Sequence, residues 1–230
     1  MKKLTILFLL LIVVACGKDQ GNLTVKTHVK GLKKGTVYLQ KIEDSLLVSL
    51  DSIHINGNEN FELHGQVDSP EIFYLVLNKH DKSYEHLPFF AEAGVIDIKT
   101  TLKHFVTDAT ISGSKNQALL DEYNVFNSRL KNARLDLIKE NFEANKAKDS
   151  IKLDSISKAD AGLIKRKYLF TVNYAINHKD AEVAPYLALS EIYDANVKWL
   201  DTINTSLTPE VKASTYGKQL QTYIEDLKKK

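Results

Sequence analysis

The chain has 230 residues, of which 43% are hydrophobic, and its 31 basic and 29 acidic side chains give a formal net charge of +2. That length allows two small domains or one large domain with a sizeable core. A balanced charge, without a basic stripe interleaved with aromatic residues, argues against nucleic acid as a partner.

The N-terminus has the features of a bacterial lipoprotein export signal. Lys2 and Lys3 precede an apolar run over residues 4–15, which is too short to cross ~30 Å of hydrocarbon as a helix. The tetrapeptide Val13-Val14-Ala15-Cys16 resembles the lipobox, which precedes cleavage at a lipidated cysteine. We therefore expect residues 1–15 to be a signal peptide and Cys16 to carry the lipid anchor, although a buried cysteine closing a leucine run is the alternative.

Cys16 is the only cysteine of the chain. Once it is lipidated, no disulfide, C-x-x-C redox pair or thiolate metal site remains possible. Gly17 stands where an aspartate can retain lipoproteins at the inner membrane, so we expect an outer-membrane lipoprotein facing the periplasm, with residues 16–22 as a lipidated tether. The anchor therefore predicts the cell envelope as its location and the membrane as its first partner.

Residues 23–114 alternate between apolar and polar side chains, and turn residues interrupt them about every ten positions. This period of two predicts an antiparallel β-sandwich domain. The turn Asn56-Gly57-Asn58 is expected to close a hairpin whose return strand begins near Phe61, because Asn and Gly tolerate the positive φ of tight turns.

The hydrophobic period changes to 3.6 near Ser114, a plausible N-cap, so residues 115–230 predict an all-helical domain and an α+β fold class. Residues 144–158 predict a polar helix, and Pro209 fits the first turn of another. One apolar stripe of the first helix comprises Leu119, Leu120, Tyr123, Phe126, Leu130, Leu135 and Ile138. The core expected for the helical domain comprises Leu163, Leu169, Leu187, Leu189, Ile192, Leu220 and Ile224.

Several segments of the chain resemble one family along nearly its whole mature length. They are Gly31, Thr36-Val37-Tyr38-Leu39, Phe61-Glu62-Leu63-His64-Gly65-Gln66-Val67, Ser69-Pro70, Ala91-Glu92-Ala93-Gly94, Ile111-Ser112-Gly113-Ser114, Asn116, Leu207-Thr208-Pro209-Glu210 and Tyr216-Gly217-Lys218. With these segments the chain resembles the non-catalytic front half of thioredoxin-like lipoproteins of Bacteroidota, catalogued as domain of unknown function 4369.

In that family the Tyr-Gly-Lys helix leads into a thioredoxin domain bearing W-C-x-x-C, whereas this sequence ends at Lys230. The resemblance therefore implies no catalytic residue here, and we expect no enzyme and no cofactor. We predict a lipid-anchored envelope module for binding or scaffolding, whose ligand the sequence does not identify. The alternative is an accessory subunit of a separately encoded thioredoxin-fold partner; a hydrolase or glycan-processing enzyme is a third class.

Five Asp-(Ser/Thr)-aliphatic triplets resemble the acceptor motif for periplasmic O-glycosylation in Bacteroidota. The acceptors would be Ser45, Ser52, Ser150, Ser155 and Thr202. Equally, Asp and Ser mark turns and helix caps ahead of apolar runs without any sugar. Ser150 and Ser155 are the strongest candidates, because their helix looks exposed.

His28, His54 and His64 fall out of phase with the apolar residues of their strands and could share one solvent-facing surface. Because no H-x-H or H-E-x-x-H spacing occurs, we expect solvated histidines and no metal site. No arrangement of a nucleophile and a base stands out either.

Overall fold

The computed structural model describes residues 21–79 and 83–229, which form strands first and helices afterwards. The strands are β1 (Leu23–Lys30), β2 (Lys34–Glu43), β3 (Leu46–Asn56), β4 (Asn60–Gly65), β5 (Glu71–Asn78), β6 (Tyr84–Ala91), β7 (Gly94–Thr101) and β8 (Thr110–Ser112). The helices are α1 (Lys115–Ala147), α2 (Ser150–Asn177), α3 (Val183–Glu191), α4 (Val197–Ser206), α5 (Pro209–Ala213) and α6 (Thr215–Lys228). This order confirms the predicted α+β class and the change from strands to helices near Ser114.

The strands form two four-stranded sheets, with the orders β4-β1-β7-β8 and β3-β2-β5-β6. The alternating pattern gives a sheet with one buried face and one solvent-exposed face. In β1, Val25 and Val29 are buried, whereas Lys26 and Lys30 are exposed. The inward-facing side chains of both sheets, including Leu75 of β5, belong to a single hydrophobic cluster. This cluster is the core of the β region.

The pairing of the strands differs from the prediction in two respects. β1 pairs in parallel with β7, with Leu23 opposite Gly94, so one sheet is mixed. β3 and β4 lie in different sheets, so the expected hairpin at Asn56-Gly57-Asn58 is wrong. Turn residues mark where a chain reverses but not its pairing partner, and here β4 crosses to the other sheet and buries Phe61 and Leu63.

Residues 21–23 enter β1 at one end of the two sheets, which we call the tether end. There Leu23 lies opposite both Gly65 of β4 and Gly94 of β7. The Asn22 side chain donates to the Val67 carbonyl at 2.8 Å and accepts from the Val67 backbone nitrogen at 2.9 Å. These contacts fix the point at which the chain enters the fold.

Helices α1 and α2 form a long helical hairpin. Lys148, with φ of 55°, ends α1 in the left-handed region, and the Asp149 carboxylate caps α2 by accepting from the Lys152 backbone nitrogen at 2.9 Å. The predicted continuous helix over residues 144–158 is therefore wrong. A short, polar cap and turn interrupt what appeared as one polar helix.

The helical region has its own core, in which Ile192, Leu220 and Ile224 are buried as predicted. Leu187 is also buried, but it belongs to a third cluster that joins the helices to β6 through Phe90. The predicted burial of Leu169 is wrong, since its side chain is 38% exposed. Leu163 and Leu189 are half-buried.

None of the helices in the described part of the chain combines the length and hydropathy needed to span a bilayer. The predicted signal peptide and most of the predicted tether lie outside the described residues.

Candidate functional site

The outer half of the α1–α2 hairpin, residues 134–160, is the candidate functional site. Within this range only Ala144 and Ile156 are buried. By contrast, the inner half of α1 buries Tyr123, Asn127 and Leu130. The hairpin therefore has a packed base and an exposed outer half.

The base of the hairpin is tied to the sheet by Glu92, which follows β6. One Glu92 carboxylate oxygen accepts from the Ser114 hydroxyl at 2.6 Å, from the Asn116 backbone nitrogen at 2.7 Å and from the Asn116 side chain at 3.1 Å. Asn116 in turn accepts from the Val183 backbone nitrogen at 2.7 Å, and the Gln117 side chain accepts from the Phe90 backbone nitrogen at 2.8 Å. These bonds join β6, α1 and α3.

An aromatic cluster reinforces the same junction. The ring of Phe90 lies edge-on to Tyr186 at 5.2 Å and to Tyr216 at 6.1 Å between centroids. The Tyr216 hydroxyl accepts from the Ile72 backbone nitrogen at 2.9 Å. Burial raises the pKa of Tyr216, so this phenol stays neutral far into the alkaline range.

Where the hairpin leaves the protein body, a polar network connects α1, α2 and α3. The Glu191 carboxylate lies 2.8 Å from the Lys167 ammonium and 3.7 Å from that of Lys131. Burial acts to raise the pKa of Glu191, but the two lysines outweigh it and the pKa lies below its usual range. The buried Asn127 side chain lies close enough to contribute to this lowering.

Beyond that network, α1 carries an exposed apolar stripe made of Leu135, Ile138 and Phe142. Their side chains are 54%, 59% and 61% exposed. Leu135 and Ile138 belong to the apolar stripe predicted for the first helix, and in the structure this outer part of the stripe is exposed. The spacing i, i+3, i+7 places the three side chains on one helix face, but in this region that face lies beyond the protein body.

Polar contacts connect the two helices of the outer half. Arg134 donates to Asp160 at 2.8 Å and 3.4 Å, and Lys152 lies 2.5 Å from Glu140. Exposed ion pairs of this kind contribute little to stability. A groove of about 310 Å³ separates the helices next to Ile138.

Of the residues predicted from the sequence, Cys16 lies outside the described residues. The five candidate glycosylation residues are all exposed. The structure places Ser150 and Ser155 on the outer half of the hairpin, Ser45 and Ser52 on the β2–β3 ribbon, and Thr202 on α4.

The aspartates of these triplets also have structural roles. Asp149 caps α2, and Asp44 and Ser45 form the β2–β3 turn with positive φ at both residues. The Asp51 carboxylate accepts from the backbone nitrogen of His64 at 2.9 Å. The turn and cap roles of these residues are therefore present in the structure, and glycosylation of the acceptor residues remains a prediction.

The three histidines do not share one surface. His28 and His64 lie on β1 and β4 of one sheet, where His28 contacts Asn60 at 2.9 Å, while His54 lies on β3 of the other sheet. In residues 21–79 and 83–229 no group of three or more His, Cys, Asp or Glu side chains could hold a metal ion.

Glu92 and Gln117 attach the hairpin to the sheet, a role that their local sequence did not predict. One signal was available: the first turn of α1 has no acidic residue beside its Ser114 cap. Helix N-termini favour a negative charge, so a carboxylate from elsewhere in the fold could be expected there.

Comparison with family models relates the strand region of this chain to a known family. No curated protein matches the chain. Residues 23–120 match the family model described as a domain of unknown function (DUF4369). The match covers the strands and the start of α1, including Ser114, Asn116 and Gln117, so its extent includes the hydrogen bonds of Glu92 and the bond between Phe90 and Gln117.

Proposed function

We propose that this protein is a lipid-anchored cell-envelope module without catalytic activity, which binds a partner protein through the outer half of its α1–α2 hairpin. The exposed stripe of Leu135, Ile138 and Phe142 is the observation that carries the proposal. Three large apolar side chains at i, i+3 and i+7 are the anchors with which a helix enters a hydrophobic groove.

The contrast between the two halves of the hairpin supports this role. The inner half is held by Glu92, the aromatic cluster and the Glu191 network, which keep the outer half in a fixed direction. A binding surface on a well-supported helix loses little conformational entropy when a partner docks.

The anchor in this proposal is Cys16, at the outer membrane and facing the periplasm. The β region is inferred to be a β-sandwich, because inward-facing residues of both sheets belong to one cluster. Within this arrangement the β region connects the membrane anchor to the hairpin.

A second candidate function is that of an accessory subunit for a separately encoded thioredoxin-like oxidoreductase. The resemblance of the sequence to the non-catalytic front half of thioredoxin-like lipoproteins favours it, and the match of residues 23–120 to the DUF4369 model supports the domain type on which that resemblance rests. The thioredoxin-fold protein would then be the partner of the hairpin. The chain alone should show no insulin-reducing turnover, since a single cysteine supplies no dithiol.

Site-specific photocrosslinking in the envelope tests the proposal. A photoreactive residue at Phe142 should form one discrete adduct, whereas the same residue at Glu122, exposed on the opposite side of α1, should not. Leu135→Glu should abolish the adduct at position 142, because a charge in the stripe prevents apolar docking. Equal adducts at both positions, or none at either, would contradict the proposal. A thioredoxin-fold protein in the adduct would support the second candidate function, that of an accessory subunit.

A further inference from the structure

The ribbon formed by the ends of β2 and β3, residues 42–47, exposes apolar side chains at its tip. Ile42, Leu46 and Leu47 are 52%, 69% and 44% exposed. Ile42 lies opposite Leu47 across the ribbon. Asp44 and Ser45 turn the chain with φ of 47° and 70°, as a tight two-residue hairpin requires.

This tip projects beyond the sheet to which it belongs. The pairing of β2 with β5 ends at Lys41, which lies opposite Phe73, whereas the pairing of β2 with β3 continues to Glu43 and Leu46. The last residues of the ribbon thus have no second neighbouring strand among the described residues.

The tip lies at the tether end of the β region. β5 runs antiparallel to β2 and begins at Glu71, only six residues after Gly65, which is opposite Leu23. The connection between β4 and β5 contains Val67, to which Asn22 is hydrogen-bonded. The point of chain entry and the end of the ribbon therefore lie at the same end of the β region.

The tether is too short to hold this end far from a membrane. Seven residue steps separate Cys16 from Leu23. A fully extended chain spans ~3.3–3.6 Å per residue, so the tether reaches about 25 Å at most. With acyl chains on Cys16, the tether end stays within that distance of the bilayer surface.

The charges of the tip select one kind of surface. The Lys41 ammonium lies 2.8 Å from Glu43 and 3.9 Å from Glu71, so its charge is already compensated. Glu43 and Asp44 give the tip an acidic character that anionic lipids would repel. Apolar side chains beside a net negative charge favour the headgroup region of zwitterionic lipids over that of anionic lipids.

We propose that residues 42–47 dock into the zwitterionic surface of the membrane that holds the lipid anchor, which orients the protein with its tether end against the bilayer. This inference rests on the proposed anchoring through Cys16. It assigns the ribbon a second membrane contact, beside the lipid itself.

Fluorescence quenching by the bilayer tests this contact on the full lipidated protein. Because lipidation blocks Cys16, a cysteine introduced as Leu46→Cys is the only free thiol and can carry an environment-sensitive fluorophore. Asn58→Cys is the matched control, since this exposed residue lies between β3 and β4 at the opposite end of the β region. The vesicles contain phosphatidylethanolamine and phosphatidylcholine, with a quencher near the headgroups.

We expect several-fold stronger quenching at position 46 than at position 58. Equal quenching at the two positions, in protein that floats with the vesicles, would overturn the docking while leaving the anchor intact. Unlabelled protein that neither floats nor shows the mass of an attached lipid would overturn the anchor and the docking together. Quenching at position 46 that appears only with anionic lipids would also contradict the inference, because the acidic tip predicts the reverse.

Discussion

The carboxylate of Glu92 lies 2.7 Å from the backbone nitrogen of Asn116 and so connects the end of a β-strand directly to the first turn of α1. An N-terminal helix turn has unpaired N–H groups and a partial positive charge. Glu92, which lies outside the helix, accepts a hydrogen bond from one of these N–H groups and places a negative charge beside the helix terminus. The direction of the α1–α2 hairpin therefore depends on a residue of the sheet region.

We expect Glu92→Ala to lower the free energy of unfolding by about 2 kcal/mol, because hydrogen bonds to a charged group are lost and their donors stay buried. Urea denaturation followed by circular dichroism measures the change. Glu122→Ala, on the exposed side of α1, is the control and should change stability by less than about 0.5 kcal/mol. Equal effects of the two substitutions would refute the role of Glu92.

Alkaline pH should destabilise the protein through its buried tyrosines. Burial, with a contribution from Glu122, raises the pKa of Tyr174 to about 12, whereas an unfolded tyrosine ionises near pH 10. Between these values the unfolded state releases protons that the folded state retains, so stability is complete below pH 10 and falls by up to about 1.4 kcal/mol per pH unit for this group.

Tyr174→Phe should reduce that slope between pH 10 and 12, as measured by urea midpoints at a series of pH values. Tyr84→Phe, at a residue that is 55% exposed, is the control and should leave the slope unchanged. An identical slope in both variants would show that Tyr174 does not cause the loss of stability between pH 10 and 12.

Substitutions at Leu75 and Phe90 should differ in how far their effects spread. Leu75 belongs to the cluster of the two sheets, whereas Phe90 belongs to the cluster shared with the helices. Leu75→Ala should cost about 2–5 kcal/mol and Phe90→Ala about 3–5 kcal/mol. By hydrogen exchange, Leu75→Ala should lose protection mainly in residues 23–114, and Phe90→Ala in both regions.

Uniform loss of protection in Leu75→Ala would show a single cooperative unit. The predicted division into domains at residues 114 and 115 would then be wrong.

Asp149 allows the two interpretations of the Asp-Ser triplets to be separated. Asp149→Ala removes the cap of α2 and should cost about 1 kcal/mol, whereas Asp149→Asn retains a capping oxygen and should cost little. If Ser150 carries a glycan that requires the aspartate, intact-mass measurement of envelope-derived protein should show a lower mass in both variants. A mass without loss of a glycan in both variants would show that Asp149 acts as the cap of α2 and not as part of a glycosylation motif.

Cys16→Ser should release the protein from the membrane fraction, because several acyl chains give a stable anchor and the docking of the ribbon alone does not. Fractionation and immunoblotting measure the distribution. Gly17→Ala is a neighbouring control that keeps the acceptor cysteine and should remain membrane-bound. Tight membrane association of Cys16→Ser would contradict the lipobox interpretation.

Local patterns predicted most of the elements but not their partners. The change of hydrophobic period near Ser114 and the helix start at Pro209 depend on neighbouring residues, and both appear in the structure. The crossing of β4 to the other sheet and the parallel pairing of β1 with β7 depend on contacts between distant segments. No turn residue encodes those contacts.

The same limit explains the errors in burial. The prediction groups Leu135 and Ile138 with Leu130 in one apolar stripe, but the five residues from Leu130 to Leu135 turn a helix by about 140°, so Leu135 lies off the face that buries Tyr123 and Leu130. Because α1 extends past the protein body, the inner part of the stripe is packed and the outer part is exposed. The exposed part forms the candidate site, which the sequence showed only as part of an apolar stripe.

The place of β1 in its sheet has a mechanical consequence. β1 lies between β4 and β7 and is hydrogen-bonded on both sides from its first residue, Leu23. A force applied along the chain at Gly21 therefore pulls β1 parallel to its own axis and loads two ladders of hydrogen bonds in shear, because these bonds run across the strands. Many hydrogen bonds must then break together instead of one after another. The sheet therefore resists most strongly a force that is applied to β1 along its own axis.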